Sequence, residues 1–164
     1  MRRICCRRGA GKEMLAVRKS NRTISLIVLL GLVAFVAVIA IPNLRLARMT
    51  ANEASARRSL RAINLAQKKF AELNPKKGFV CGLGMLGDAH LIPHPLALGA
   101  DKGYLFEISN RESELPNTGY RVFAHPAEKN KTGYWVFCSD QSAIVKGSSQ
   151  SLEDCIDQGL VVQR

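Results

Sequence analysis

The sequence predicts an α+β protein in which one long N-terminal helix packs on a small antiparallel sheet. Residues 24–41 form an uncharged apolar run, and a charged stretch with helical periodicity follows it to about Leu73. The rest of the chain is punctuated by glycine and proline and contains short runs rich in aromatic and β-branched residues, which is typical of strands. A chain of 164 residues has room for one modest globular domain beyond such a helix.

The apolar run from Ile24 to Ile41 has the length and composition of a membrane-spanning helix. Its 18 residues would rise about 27 Å as a helix, close to the roughly 30 Å of a bilayer's hydrocarbon core. Thirteen of them are Leu, Ile, Val or Phe, which favours insertion by about 4 to 8 kcal/mol on the insertion scale. A buried core helix is the alternative, but the chain is only 6% aromatic and has little with which to surround one. The sequence therefore predicts a lipid bilayer as the first partner.

The basic residues are concentrated in the first half of the chain. Residues 1–77 hold 17 Lys and Arg against three acids, whereas residues 78–164 hold seven against ten. A uniformly basic domain would suggest nucleic acid, but this distribution favours the anionic surface of a membrane, so nucleic acid is a possible partner without specific support. The segment before the apolar run is strongly positive, and Arg45 and Arg48 make the far side basic too. These flanks favour a cytoplasmic N-terminus only weakly.

These features divide the chain into four segments. We expect a basic cytoplasmic leader (1–23), a transmembrane helix (24–41), an amphipathic continuation of that helix (42–74) and a small globular α+β domain (75–164). Met14 lies ten residues before the apolar run and would still leave a short positive leader, so either Met1 or Met14 fits as the start. Pro42 removes a backbone hydrogen bond and predicts a helix kink at the end of the span.

The helical continuation beyond Pro42 is amphipathic, with its apolar residues on one face. Apolar residues recur at three- and four-residue steps and form one stripe on a helix, and Asn74-Pro75 ends that helix because proline disfavours a helical residue before it. The members of the stripe are Leu60, Ile63, Ala66, Phe70 and Leu73. The stripe must pack on the domain that follows.

The sequence of the domain predicts a connecting loop and four strands. Residues 78–99 are expected to be a loop with a short helical turn near residues 83–86, since Pro93 and Pro95 exclude a long element. Four runs bounded by turn residues predict an antiparallel meander with one face against the helix. They are 104–108, 120–124, 134–138 and 143–146.

The three cysteines of the domain leave two disulfide pairings open. A bridge from Cys138 to Cys155 would attach the C-terminal tail to the sheet and close a loop of some 16 residues, worth about 3 kcal/mol in the chain-entropy model. A bridge from Cys81 to Cys138 would hold the connecting loop instead. Either bridge fits an exported, oxidising location. Cys5 and Cys6 of the leader fit neither a zinc site nor a lipoprotein cleavage site.

The sequence predicts no catalytic residue, no cofactor and no metal. The three histidines lie in loops beside prolines without regular ligand spacing, and the glycine-rich residues 82–87 lack the lysine of a phosphate-binding loop. No nucleophile has a plausible base near it. The strand aromatics are expected to be mostly core. The histidines are His90, His94 and His125.

The segment IAIPNLRLARMTANEASARRSLRAINLAQ, from Ile39 to Gln67, resembles the helix of type IV pilin-like and pseudopilin proteins. The resemblance lies above all in its N-E-A-S-A and S-L-R-x-I-N-x-A-Q motifs. Lys102-Gly103-Tyr104 with Phe106, then Gly133 and the residues FCSDQS at 137–142, resemble strands of the same group. The resemblance covers most of the chain from about residue 23. It implies a pilin-like fold.

The chain departs from this family at the prepilin cleavage region. The family has a glycine before the peptidase cut, a phenylalanine after it and a glutamate four residues further on; Ser20, Asn21 and Ser25 stand here. That glutamate is thought to neutralise the new N-terminal amine of a neighbouring subunit within the membrane, where an unpaired charge is costly. A chain that is not cut has no such amine. The joint departure fits an unprocessed, permanently anchored relative, and a tip or minor subunit is the alternative.

The resemblance implies a function as well as a fold. It implies a non-enzymatic, membrane-anchored subunit of a type IV pilus or type II secretion-type filament, in the bacterial inner membrane, with homologous subunits as partners through the N-terminal helix. The alternative is an unprocessed single-pass membrane protein with an exported binding domain that does not form a fibre. An exported soluble protein cut near Ala40 is disfavoured, because Pro42 lies directly behind that site and the helical pattern continues.

Overall fold

The computed structural model describes the backbone of residues 11–109 and 115–162, and the side chains of 22–109 and 115–162. The predictions for Met1, Cys5 and Cys6 lie outside this range. By its internal contacts the chain divides into two compact units, with the boundary between Leu44 and Arg45. Helix α1, Gly11–Leu73, begins in the first unit and ends in the second.

The described side chains of the first unit belong to an apolar helix. From Ile24 to Leu44 its large hydrophobic side chains are more than half exposed, and Val38 reaches 73%. This helix is long and apolar enough to cross a membrane, and its most apolar window of 18 residues is 0% buried. Pro42 lies inside α1; the kink expected there stays a prediction.

The second unit contains the end of α1, three short helices and one antiparallel sheet. The six strands lie in the sheet in the same order as in the chain. Each strand therefore pairs antiparallel with the strand that follows it in sequence, which is the topology of a meander. The strands are β1 Ala100–Asp101, β2 Tyr104–Ser109, β3 Arg121–Pro126, β4 Val136–Asp140, β5 Lys146–Ser148 and β6 Leu160–Val161. The short helices are α2 Leu83–Asp88, α3 His94–Ala97 and α4 Leu152–Gln158.

Helices α1 and α4 lie on opposite faces of the sheet. Successive strand residues point to opposite faces, and Phe106, Ala124 and Phe137 stand opposite one another on three adjacent strands. This face packs on the apolar stripe of α1. Cys138 points the other way and is joined to Cys155 in α4. The second unit is therefore a helix, sheet and short helix in three layers, and the predicted α+β class, with a long helix on a small antiparallel sheet, is confirmed.

The predicted stripe is buried except at its last position. Leu60 and Ile63 are 0% exposed, and Ala66 and Phe70 are buried with them. Leu73 is 66% exposed, so its assignment to the stripe was wrong. It is the last residue of α1, and the chain turns there with the Asn74 amide nitrogen donating to the Phe70 carbonyl.

Three of the four predicted strands lie within two residues of the observed ones, and the fourth is displaced. Strand β4 begins at Val136 rather than Tyr134, because the amide nitrogens of Tyr134 and Trp135 donate to Glu53 Oε1 at 2.8 and 3.4 Å instead of pairing with a strand. Ala143 has a φ of 60° and lies in a turn, so β5 starts only at Lys146.

Helices α3 and α4 and the two outermost strands were not predicted. The local signal for α4 is a short capping motif, in which Ser151 Oγ accepts from the Asp154 amide at 3.2 Å and donates to its carboxylate at 2.6 Å. Strands β1 and β6 have two residues each, too short for a periodic pattern to identify.

Two buried polar groups tie α1 to the rest of the second unit. The Gln67 side chain makes two hydrogen bonds to the backbone of Val80, accepting from its N–H at 2.9 Å and donating to its C=O at 3.0 Å. Asn64 Oδ1 accepts from the Tyr120 hydroxyl at 2.9 Å, and Asn64 Nδ2 donates to Ser139 Oγ at 2.8 Å. These bonds fix which residue of α1 meets which part of the domain.

Replacing Gln67 with methionine will destabilise the domain although the side chain keeps its size. Both backbone groups of Val80 lose their partner in a buried place, and each unsatisfied group costs about 1 to 3 kcal/mol. The matched control is Lys68→Met on the exposed side of the same helix, which we expect to stay within about 0.5 kcal/mol of the parent. Urea unfolding of the detergent-solubilised chain, followed by the fluorescence of Trp135, measures both. Equal free energies of unfolding for the two variants would contradict this role of Gln67.

Candidate functional site

The candidate site is the surface of α1. This surface differs between the two units and, in the second unit, between the two faces of the helix. In the first unit its large side chains between Ile24 and Leu44 are apolar and more than half exposed. In the second unit one face packs on the sheet and the opposite face is exposed. Ser25 is exposed within the apolar part, whereas the side chains of Ser20 and Asn21 lie outside the described residues.

Polar residues on the inner side of α1 attach it to loops and strand ends of the domain. Asn52 Nδ2 donates to the Thr132 carbonyl at 2.9 Å, and Ser59 Oγ donates to Asp101 Oδ2 at 2.9 Å. With Glu53, Asn64 and Gln67 they form a series of polar anchors that runs beside the apolar stripe. The bonds of Asn64 and Gln67 are buried and those of Asn52 and Ser59 are part-buried, in places where polar groups need a partner.

These anchors belong to the same motifs that carry the family resemblance. Asn52 and Glu53 belong to N-E-A-S-A, and Asn64 and Gln67 belong to the motif ending in I-N-x-A-Q. The sequence alone predicted no contacts for these residues. The available signal was spacing, since Asn64 and Gln67 are three residues apart and each directly follows a member of the apolar stripe, Ile63 or Ala66.

Two buried tyrosines near these contacts have raised pKa values. Burial raises the pKa of the Tyr104 phenol well above its usual range, the nearby Glu53 carboxylate raises this pKa further, and Arg57 lowers it. Burial also raises the pKa of Tyr120, and Asp140 adds to the increase. Both hydroxyls donate hydrogen bonds, from Tyr104 to the Trp135 carbonyl at 2.8 Å and from Tyr120 to Asn64. Both tyrosines therefore remain neutral donors in the folded state.

The disulfide joins Cys138 of β4 to Cys155 of α4, with their Cα atoms 6.0 Å apart. Both residues are 0% exposed. Lys146 Nζ donates to the Ile156 carbonyl at 2.6 Å and holds the same helix a second time. Cys81 is exposed, and its sulfur accepts from Asn117 Nδ2 at 3.3 Å. Of the two pairings that the sequence left open, the structure has the one that attaches the C-terminal tail.

The structure does not bring the histidines together. His90 and His94 are exposed in the segment around α2 and α3, and His125 is half-buried on β3. Among the described residues no three side chains of His, Cys, Asp or Glu are placed to hold a metal ion.

A shallow cleft of about 330 Å³ lies between α1 and β6, beside Trp135 and Phe137. Its two charged groups are engaged in structural contacts. Glu53 accepts backbone N–H bonds, and the Arg57 guanidinium lies 5.8 Å from the centre of the Phe137 ring. Neither group is placed opposite a nucleophile.

No protein-family model, curated protein or solved structure matches this chain.

Removal of the disulfide will lower the stability of the second unit without affecting the apolar part of α1. The bridged residues are 17 apart, and a loop of this length is worth about 3 kcal/mol in the chain-entropy model. The double variant Cys138→Ala/Cys155→Ala tests this in urea unfolding followed by Trp135 fluorescence. Cys81→Ser is the matched control and should change the free energy of unfolding by less than about 0.5 kcal/mol. If Cys138 and Cys155 of the native chain react with a maleimide, the bridge is wrong.

Stability will decline at alkaline pH because of the two buried tyrosines. Their folded-state pKa values lie above the unfolded value of about 10, so the unfolded chain releases these protons first as the pH rises. Their contribution is complete below about pH 10 and is lost above it. Tyr120→Phe should flatten the fall in unfolding free energy between pH 9 and 11, whereas Tyr134→Phe, at an exposed position, is the control that retains it. An unchanged slope in Tyr120→Phe would refute this assignment.

Proposed function

We propose that this chain is a non-enzymatic, pilin-like or pseudopilin-like subunit of a type IV pilus or type II secretion-type filament. In this proposal residues 24–41 anchor it in the bacterial inner membrane, the N-terminus is cytoplasmic and the C-terminal domain is periplasmic or extracellular. The observation that carries the proposal is α1 itself. One helix, Gly11–Leu73, has large apolar and exposed side chains between Ile24 and Leu44, and its last part is the packing partner of an antiparallel sheet.

The exposed apolar surface of the first unit supports an anchor because water is an unfavourable surrounding for it. Each square ångström of apolar surface removed from water is worth about 25 cal/mol, and more than a dozen large side chains between Ile24 and Leu44 are over half exposed. Soluble monomers rarely carry so large a contiguous apolar surface. Lipid, or homologous helices within lipid, would cover it.

The disulfide supports an oxidising location for the domain. Such bonds persist in exported domains and are rare in reducing cytoplasm. With the positive leader on the other side of the apolar run, this favours a cytoplasmic N-terminus and an exported C-terminal domain.

The alternative function is a permanently anchored, single-pass protein whose exported domain binds a partner without forming a fibre. The replacement of the family's cleavage residues by Ser20 and Asn21, and of its glutamate by Ser25, favours this alternative. It would use the same anchor and the same fold.

The N-terminus of the membrane-extracted protein separates these functions. A chain that starts at Asn21 supports processing and assembly, and an intact leader supports the permanent anchor. A start beyond Ala40 would eliminate both. Amine-reactive crosslinking in intact membranes is the second measurement: a ladder of oligomers supports a filament subunit, and an exclusively monomeric chain supports the solitary protein.

Charges placed in the middle of the apolar run will release the chain from the membrane. Leu32→Arg with Val33→Arg costs about 2.5 to 3.5 kcal/mol per arginine on the insertion scale, on top of the lost apolar contribution. We expect the variant to move from the carbonate-resistant membrane pellet to the supernatant. Leu98→Arg, at a position of the domain that is 73% exposed, is the control and should stay in the pellet. A double variant that remains as membrane-bound as the parent would exclude the anchor.

A further inference from the structure

The outer side of α1 carries a face on which cations outnumber acids. We define this cationic face as Arg58, Arg61, Lys68 and Lys69 with Leu65 at their centre; all five are exposed, Leu65 to 70%. Leu65 follows Arg61 by four residues and precedes the two lysines by three and four, so these side chains are neighbours on the helix surface. In the described part of the chain the salt bridge is that between Lys131 and Glu128, and no member of the cationic face forms one. One carboxylate, that of Glu72, lies a turn further along this side.

The opposite side of the second unit carries more acids than bases. Glu107 stands opposite Phe123, and Phe123 stands opposite Cys138, so all three point to the face of the sheet that bears α4. Leu105 points the same way, two residues along β2, and is 39% exposed. We define the acidic face as two apolar residues of the sheet, the exposed Leu105 and the half-buried Phe123, with the carboxylates around them: Glu107, Asp140, Glu153 and Asp157.

The cations on that side do not cancel this charge. Arg121 stands opposite Asp140 on the neighbouring strand. Lys146 uses its amine to hold the Ile156 carbonyl of α4. Glu107, Glu153 and Asp157 are exposed and form no salt bridge among the described residues. The acidic face therefore repeats the organisation of the cationic face with the opposite sign, with large apolar side chains next to a charged rim.

We propose that the cationic face of one copy binds the acidic face of a second copy. The proposal rests on the proposed function as a filament subunit and names the contact surface between its copies. Leu65 meets Leu105 and Phe123 at the centre, and the cations of α1 meet Glu107 and the carboxylates of α4 at the rim. Interfaces are commonly apolar at the centre and polar at the edge, and charge complementarity sets which surfaces meet.

The positions of the two faces determine the symmetry of the contact. They lie on opposite sides of the three layers, so a copy that uses one face still offers the other. A contact of this kind is heterologous and continues into a ring or an open filament rather than stopping at a dimer. Pairing of two cationic faces, or of two acidic faces, brings like charges together and is disfavoured. The charge distribution thus selects head-to-tail association.

Crosslinking between two differently tagged copies of the full chain in membranes tests the contact directly. One copy carries Leu65→Cys and the other Leu105→Cys, both with Cys5, Cys6 and Cys81 replaced by serine, and the probe is a short bis-maleimide. We expect a crosslinked heterodimer from the mixture, a ladder from a chain with both substitutions, and no dimer from Leu65→Cys alone. Leu65→Cys mixed with Leu98→Cys is the control for random collision and should give no product.

Charge reversal supplies the second arm of the test. Arg61→Glu with Lys68→Glu should reduce the yield of the Leu65 to Leu105 crosslink at least tenfold, and Glu107→Lys with Glu153→Lys should do the same. The two reversals placed in opposite copies should restore the product. All four positions are exposed, and the intact Cys138–Cys155 bridge, checked by mass, reports folding of each variant.

The outcomes distinguish this contact from the proposed function. Homodimers of Leu65→Cys would overturn the contact in favour of pairing between α1 helices, and a yield insensitive to charge reversal would overturn its ionic rim. An amine-reactive ladder of the parent chain without any Leu65 to Leu105 product refutes this contact and leaves the filament subunit intact. Monomers under both reagents refute both proposals.

Discussion

The contact between the inner face of α1 and the sheet is the interaction on which the second unit depends. Its strands have two to six residues, and a sheet of such short strands needs a packed face to be stable. Leu60 and Ile63 supply that face from α1 without any exposure of their own. The polar anchors then fix the register, because sliding the helix by one residue would leave Val80 and Tyr120 without their partners. Apolar burial holds α1 on the sheet, and the buried hydrogen bonds select one position.

The coarse fold could be predicted because each of its elements has a local periodic signal. The stripe from Leu60 to Phe70 and the aromatic runs of β2 and β3 are such signals. The predictions failed where other constraints override the local pattern. Glu53 accepts hydrogen bonds from the amide nitrogens that would otherwise extend β4. Ala143 has a left-handed backbone conformation, so β5 begins only after it. The two partners of Asn64, Tyr120 and Ser139, lie 56 and 75 residues away. No local periodicity identifies a partner at those separations.

The choice of disulfide shows why the candidate site was only partly predictable. Both pairings fitted the sequence, since spacing alone does not say to which face a strand cysteine points. Cys81 follows Val80, which bonds Gln67 on the α1 side of the sheet. Cys138 points to the other side, where Cys155 lies. The alternation of side chains along β4 decides the pairing once α1 has a defined face. The apolar run needed no such information, because composition and length alone identify a helix able to span a bilayer.

Ser25 bears on how one copy would select its neighbours. Within lipid, a carboxylate paired with an amine of a neighbouring chain would be a strong and directional contact, because an unpaired charge there is costly. A serine provides no such charge, and the other described side chains from Ile24 to Leu44 carry none either. Small and apolar side chains allow helices to pack in lipid but discriminate poorly between partners and directions. Under the proposed function, selection of a neighbour then falls to residues beyond the apolar run. There the second unit separates its charges onto two opposite faces, and under the proposed contact these faces would supply the directionality that an uncharged helix lacks.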